Sequence, residues 1–597
     1  MDKEKEGTET TQPDGKKKFA PKRRVLVVLA IAVLACLTAG GIYLYGGGGN
    51  AHTTEQGAQT AATQQKEPVE KTDDSEKPCE HDWTVTYKTV HHDAVTHTEN
   101  VAPVYEQETS YHTVCNDCQQ IIDGIADQHI KDTGHSGYST NVPITGEVLM
   151  SEGYSHEVTD TPGYPPIDLT NKRLRELARQ LGPAWVRVSG TWATKTYYDL
   201  DGVTGGKPPE GYANVLTGEQ WLGVLDFVSY VGAKLLISVS NCAGDHPNGE
   251  ALDLTQAKKI FDFSHHHGVD ISAVEFMNEP NMLELSGAPK GYTAADYARD
   301  QDILYAWVRA NYPKCLLVGP CTTGDPSVKS VESKDFGAGI AALTKTCTTQ
   351  ELLEETQIPL DVFSYHYYNG VSERIAGVIP SAHWPGQMAH TDAYLAVAPA
   401  CAKAHTALRD KFVPGGPMWV TESGDAGGGG NTWASTYLDV LRTLNELGSY
   451  GTITDGVIFH NTLASSDYGF LEPGSFLPRP NYYAVLLWNR LMGTAIYDCE
   501  AMNRDSAHVY CRSRRDGKPG AAYLIVNNSL TDALTVTLPK EAMRYTLHAQ
   551  TMRSPTVLLD GKELTISGVC RIPELAAQRQ PQGNALLAPG SCTFLIL

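Results

Sequence analysis

The sequence predicts an α/β chain centred on a parallel barrel, and three observations carry that expectation. From residue 143 to 493, short apolar runs alternate with amphipathic helical stretches, the order that builds strand–helix units. Two of those runs stop abruptly on a glutamate, in Asn278-Glu279-Pro280 and in Thr421-Glu422-Ser423-Gly424. From 494 to 597 the helical period fades into short alternating runs divided by turn residues, which reads as a β-sandwich.

Taken in order, strands are expected at 147–151, 185–189, 235–240, 273–277, 315–319, 360–365, 418–421 and 456–459. Helices lie between them, such as 171–180, where Leu174, Leu177 and Leu181 share one face. Eight such units fit a (β/α)8 TIM barrel, in which active sites lie at the C-terminal ends of the strands. Counted this way, Glu279 ends the fourth strand and Glu422 the seventh. Both carboxylates are then aimed at one central mouth. Proline after Glu279 stops its strand and stiffens the next turn. Within the sandwich, strands are expected at 521–526, 534–538 and 593–597.

A length of 597 residues exceeds one ordinary core, and 41% apolar with 20% charged residues reads as globular. The net charge of −21 argues against a nucleic-acid partner and against a broad basic surface. Residues 1–24 form a basic tail, with Lys16-Lys17-Lys18 and Lys22-Arg23-Arg24 just ahead of an apolar run. The run 25–45 is 21 residues without a charge, long enough to span a bilayer. Basic residues before it place the N-terminus in the cytoplasm, which puts the rest of the chain outside a cell membrane crossed once. Secretion or lipid anchoring after signal cleavage is the alternative. Residues 46–78 hold little to bury and read as a flexible stalk.

Residues 79–140 form a small His- and Cys-rich unit. Cys115, Cys118, His129 and His135 follow the pattern C-x2-C-x10-H-x5-H. Two thiolates from a tight knuckle and two imidazoles suit tetrahedral zinc, so a zinc-ribbon-like module with a structural ion is expected. A Cys115–Cys118 disulfide with incidental histidines is the alternative in an oxidising compartment. The remaining cysteines show no dense disulfide framework.

Two strand-end carboxylates far apart in sequence are what a retaining glycosidase needs. One protonates the leaving oxygen and the other attacks the sugar carbon. No catalytic cofactor is required for that chemistry. One of the pair then has to be protonated at the start and the other ionised. Asn278, directly before Glu279, is a candidate to bond the sugar 2-hydroxyl.

With those residues in hand, 165–490 resembles glycoside hydrolase family 79, the heparanase and β-glucuronidase family of clan A. The resemblance lies in 169–191 (LTNKRLRELARQLGPAWVRVSGT), 275–281 (EFMNEPN), 366–370 (HYYNG), 421–429 (TESGDAGGG), 467–471 and 480–491. It implies Glu279 as general acid/base and Glu422 as nucleophile. It also implies Tyr367 as the tyrosine supporting the nucleophile, with core packing as its alternative. Gly428, Gly429 and Tyr468 match the positions that recognise a uronic acid carboxylate, and Thr191 and His366 are further candidates for sugar contacts. Arg187 is a counter-charge for Glu422 or a structural ion pair.

The chain also departs from the family. Gly427 stands where heparanase has a tyrosine, the segment 151–158 lacks an Asp-x-Asn, and clusters of basic residues in the linker are not evident. The expected activity is therefore exo-acting removal of β-linked glucuronic acid from a carbohydrate. An endo-acting, heparanase-like hydrolase of glycosaminoglycans and a catalytically inactive glycan-binding surface protein are the alternatives.

Overall fold

The computed structural model describes residues 96–101, 104–151, 154–159, 167–328, 345–454 and 456–597. The expected basic tail (1–24), membrane anchor (25–45) and stalk (46–78) lie outside the described residues, as does 79–95. Among the described residues, no helix is long and apolar enough to cross a membrane. They fall into two compact units, one within 96–159 and one spanning 167–597.

The N-terminal unit is built on a long antiparallel hairpin of Val104–Cys115 against Tyr138–Ser151, and Thr96–Val101 pairs antiparallel with Tyr154–Thr159. This corrects the barrel start expected at residue 143. Residues 147–151 continue the strand begun at Tyr138, with Glu147 opposite Gln107 and Ser151 opposite Val104. A short apolar run carries no signal for which sheet it joins.

The larger unit contains the barrel. Strands β1 (Trp185–Val188), β2 (Lys234–Ser238), β3 (Ile271–Glu275), β4 (Leu316–Thr323), β5 (Val362–Tyr368), β6 (Met418–Gly424) and β7 (Ile458–His460) pair in chain order. Every pairing is parallel. The two edges approach each other, since the Trp185 ring of β1 lies 4.9 Å from that of Trp419 and 6.3 Å from that of Phe459. The described sheet is thus a nearly closed barrel of seven strands, with Glu279 just past the third and Glu422 within the sixth.

Helices α1 (Lys172–Gln180), α2 (Gly218–Val231), α3 (Thr255–His266), α4 (Ala294–Asn311), α5 (Val397–Phe412), α6 (Leu438–Gly451) and α7 (Pro480–Leu491) surround the barrel. Asn171 caps α1 by accepting from the Arg173 and Leu174 N–H groups, and Leu174 and Leu177 on its inner face are fully buried. Alternation along each strand divides the side chains between two cores. Leu235, Ile237, Val274, Leu317, Phe363, Tyr365, Met418 and Val420 pack outward against the helices. Leu236, Ala273, Val318, Val362, Trp419 and Phe459 fill the barrel floor. Two residues further along, the same alternation puts Arg187, Glu275 and Ser364 above that floor.

The chain passes from α7 into an antiparallel sheet of β8 (Met492–Tyr497), β9 (Ala507–Arg514), β10 (Ala521–Asn527), β12 (Ala542–His548) and β14 (Ser591–Ile596). Strands β11 (Leu534–Leu538) and β13 (Gly583–Leu587) pair with each other as a second layer. Val509, Ile525, Leu538, Ala585, Leu587 and Leu595 close the space between the layers, which makes the expected β-sandwich. The opposite face of the large sheet lies on α6. The Tyr510 hydroxyl donates to Asn445 Oδ1 at 2.7 Å, and the Tyr437 hydroxyl donates to the Leu547 carbonyl at 2.7 Å. Phe594, fully buried, joins the core shared with the barrel. Phe594→Ala should lower stability by about 3–5 kcal/mol, read as a shift of the urea unfolding curve.

Candidate active site

The site stands on the layer above the barrel floor. Arg187, from β1, is buried and meets four acceptors. Its Nε donates to Glu275 Oε2 at 2.9 Å and its Nη1 to Glu422 Oε2 at 3.0 Å. Its Nη2 donates to Asn278 Oδ1 at 2.9 Å and approaches His366 Nε2 at 3.2 Å. Arg187 is therefore the counter-charge of Glu422 and, through Glu275, a buried structural ion pair as well.

Glu422 lies within β6 and is surrounded by donors. The Tyr368 hydroxyl donates to its Oε1 at 2.5 Å and Asn461 Nδ2 donates to the same oxygen at 3.2 Å. Asn461 also donates to the Tyr368 hydroxyl at 2.8 Å and to the Tyr468 hydroxyl at 3.1 Å.

Glu279 sits just past β3, in the left-handed region at φ 47°. A non-glycine residue there is strained, and such strain clusters at functional sites. Its carbonyl is held by the Met282 N–H at 3.1 Å and the Ser286 hydroxyl at 2.7 Å. Asn281 pins the same turn to the end of β4, donating to the Thr323 carbonyl at 2.7 Å and accepting from its N–H at 3.0 Å. Burial first, and the nearby Glu422 carboxylate second, push the Glu279 carboxyl well above the ordinary glutamate range, with Arg187 opposing.

His366 fixes the direction of that acid. Burial, then Arg187, hold its imidazole well below the ordinary histidine range, so the ring is neutral. Guanidinium groups only donate, which makes Nε2 the acceptor and Nδ1 the protonated nitrogen. Nδ1 then donates to Glu279 Oε1 at 3.1 Å. Glu279 Oε2 is buried without a partner among the described residues, as is Asn278 Nδ2. The first suits the acidic proton and the second suits a donor to a sugar hydroxyl. One oxygen of Glu279, one of Glu422 and a ring nitrogen of His366 all lie within 4.8 Å of one another.

The other expected residues divide. Tyr367 is a correction. Its hydroxyl donates to Asn369 Oδ1 at 2.6 Å, and it packs in the outward core. Alternation along β5 sends Ser364, His366 and Tyr368 inward instead, so the tyrosine on Glu422 is Tyr368. Thr191 is buried in the short helix Thr191–Thr194 that follows β1. Tyr468 is buried, with its ring 6.3 Å from that of Tyr368. Gly428 and Gly429 have φ values of 89° and 94°, a conformation that favours glycine. Among the described residues, neither of their N–H groups has a hydrogen-bond partner. Sequence analysis missed Tyr368, Asn461 and Glu275. The alternation of β5 points to Tyr368, whereas no local pattern marks Asn461.

In the N-terminal unit, Cys115, Cys118, His129 and His135 converge. Cys115 Sγ lies 3.7 Å from His135 Nδ1 and Cys118 Sγ lies 3.4 Å from His129 Nε2. All four ligand atoms lie within 4.8 Å of one another. Gly134, at φ 75°, ends the helix Ala126–Thr133 and turns the chain so that His135 returns beside His129.

A nearly closed parallel barrel with two buried carboxyl groups at its mouth defines a glycosidase-like body. Heparanase-like protein 1 of Arabidopsis thaliana is 24% identical over 407 residues, 66% of this chain and 70% of that protein. The hyaluronoglucuronidase of Hirudo nipponia is 21% identical over 474 residues, 72% of this chain and 90% of the relative. No family model matches. The resemblance to the heparanase and β-glucuronidase family thus stands, at low identity. A solved 4-O-α-L-rhamnosyl-β-D-glucuronidase of Fusarium oxysporum shares the fold with a TM-score of 0.50 at 15% identity, covering 71% of this chain and 91% of that one.

Tyr368→Phe should lower kcat/KM by about 10–100-fold, the worth of a hydrogen bond to a charged group. Tyr367→Phe should stay near wild type in the same assay. Equal losses in both variants would reverse the assignment.

Proposed function

We propose that this chain is a retaining glycoside hydrolase that removes β-linked glucuronic acid, acting from the chain end. Glu279 is the general acid/base and Glu422 the nucleophile. The observation that carries this is the pair of carboxyl groups with oxygens within 4.8 Å of one another. Retaining enzymes hold their carboxyl groups about 5–5.5 Å apart, while inverting enzymes need about 6.5–9.5 Å to seat a water.

Glu279 Oε2 protonates the leaving oxygen while Glu422 attacks the anomeric carbon and forms a glycosyl-enzyme. Glu279, now ionised, takes a proton from water, which displaces Glu422 with net retention. Arg187, Tyr368 and Asn461 steady Glu422 in both steps, and Asn278 Nδ2 meets the sugar 2-hydroxyl. Glucuronide specificity is supported by the unpartnered N–H groups of Gly428 and Gly429 beside Tyr468, because adjacent main-chain donors form a concavity suited to a carboxylate. The name of one relative, a hyaluronoglucuronidase, points to the same sugar. Endo action on a glycosaminoglycan is the second reading, and the hyaluronoglucuronidase favours it.

Glu279→Gln and Glu422→Gln should each lower turnover of 4-nitrophenyl β-glucuronide by at least about 10³-fold. Full activity in both would end the proposal. Activity should also fall as pH rises through the raised Glu279 value, since only the protonated form starts the reaction. The stability effect follows from the same shift. Above the ordinary glutamate pKa the unfolded chain releases this proton first, so wild-type stability declines with rising pH until the folded carboxyl also ionises. Glu279→Gln removes that decline, so its melting temperature should gain on wild type as pH increases.

For the N-terminal unit we propose structural zinc on Cys115, Cys118, His129 and His135. The Sγ···N separations of 3.7 and 3.4 Å support this, because tetrahedral zinc spaces such ligands about 3.5 Å apart. Metal analysis should find zinc in the chain and lose it in Cys118→Ser, whereas a metal-free Cys115–Cys118 disulfide would refute it. We also propose that 25–45 anchors the chain in a membrane, on its uncharged run and the basic residues before it.

A further inference from the structure

The glycine turn after β6 is held by a frame from the loop after β5. Val371 forms a bridge with Gly427. The Ser372 N–H donates to the Gly427 carbonyl at 2.9 Å, and its hydroxyl to the Gly428 carbonyl at 3.0 Å. The Glu373 N–H donates to Asn431 Oδ1 at 3.0 Å, and its carboxylate accepts from the Thr432 N–H at 3.1 Å.

Arg374 reaches furthest. Its Nη1 donates to the Gly430 carbonyl at 2.8 Å, and its Nη2 pairs with the Asp467 carboxylate. Nη1 lies 3.1 Å from where a Cβ on Gly429 would stand. The Asp467 N–H donates to the Gly429 carbonyl at 3.0 Å, and Tyr468 is the next residue. One guanidinium therefore ties three loops together, those after β5, β6 and β7. Two of them carry the groups proposed to meet the sugar carboxylate. The carbonyls of Gly427 to Gly430 accept from this frame or from the Asp467 N–H, while among the described residues the Gly428 and Gly429 N–H groups donate to no such partner.

We propose that Arg374 is a positioning residue that sets selectivity for an acidic sugar. It fixes the spacing between the glycine turn and Tyr468, its own charge being paired with Asp467. This rests on the glucuronide reading above. The planar fork matters because it serves a carbonyl and a carboxylate at once, which the single ammonium of lysine does not do in the same geometry. A purely structural tie would support every substrate equally, so the discriminating quantity is a ratio.

The experiment compares kcat/KM on 4-nitrophenyl β-glucuronide and β-glucoside for wild type, Arg374→Gln, Arg374→Lys and Asp467→Ala, with melting temperatures alongside. Arg374→Gln should lower the glucuronide-to-glucoside ratio by about tenfold, chiefly through the glucuronide KM. Arg374→Lys should recover only part of it. Asp467→Ala keeps the main-chain bond to Gly429 and should move the ratio in the same direction, and it decides the matter should the Arg374 variants fail to fold. A ratio that stays at the wild-type value, or a parallel fall on both substrates, would overturn the inference. Wild-type selectivity separates the two claims. If it is absent, the glucuronide reading fails and takes Arg374 with it; if it is present and unmoved in the variants, only the Arg374 inference fails.

Discussion

The buried Arg187 guanidinium is the constraint on which the site depends. A charge this far from water has to be matched, and four acceptors from three other strands or their ends match it. Glu275 and Glu422 already supply two negative charges around one positive charge. A third carboxyl beside them, without a cation of its own, is forced to keep its proton. Glu279 and Glu422 thus differ first because burial disfavours the charged form of Glu279, and then because Glu422 holds the direct contact with Arg187.

The barrel makes that arrangement automatic. Strands other than β4 contribute an apolar residue to the floor and, two positions later, a polar residue above it, as Trp185 with Arg187 and Ala273 with Glu275. The apolar layer excludes water from below, which strengthens the electrostatics in the layer above. The sandwich contributes from outside by packing on α6, whose Glu446 accepts from the hydroxyl of Ser423, the residue after Glu422.

Much of this was legible in the residues. Alternating strands and helices announced the barrel, and the two glutamates expected at one mouth do meet there. Four metal-type ligands at suitable spacing do converge. The failures have physical causes. Residues 147–151 form an apolar run too short to declare a partner, and a neighbouring strand in the hairpin captured it. Tyr367 and Tyr368 differ by one position, and a one-residue slip along a strand exchanges its faces. Asn461 lies past the last barrel strand, where only the folded chain brings it against Glu422. Arg374 is likewise invisible until three loops meet.

The left-handed backbone at Glu279 has an evolutionary consequence. Glycine there would relieve the torsional strain and abolish a buried carboxyl in a single step, and asparagine would ease the strain in part while also removing the carboxyl. Mutational drift toward a more robust but inert scaffold is therefore downhill at this codon. The carboxyl proposed as the acid is thus set against the stability of the turn that carries it, and a chain using the barrel only to hold a glycan would be the sturdier for losing it.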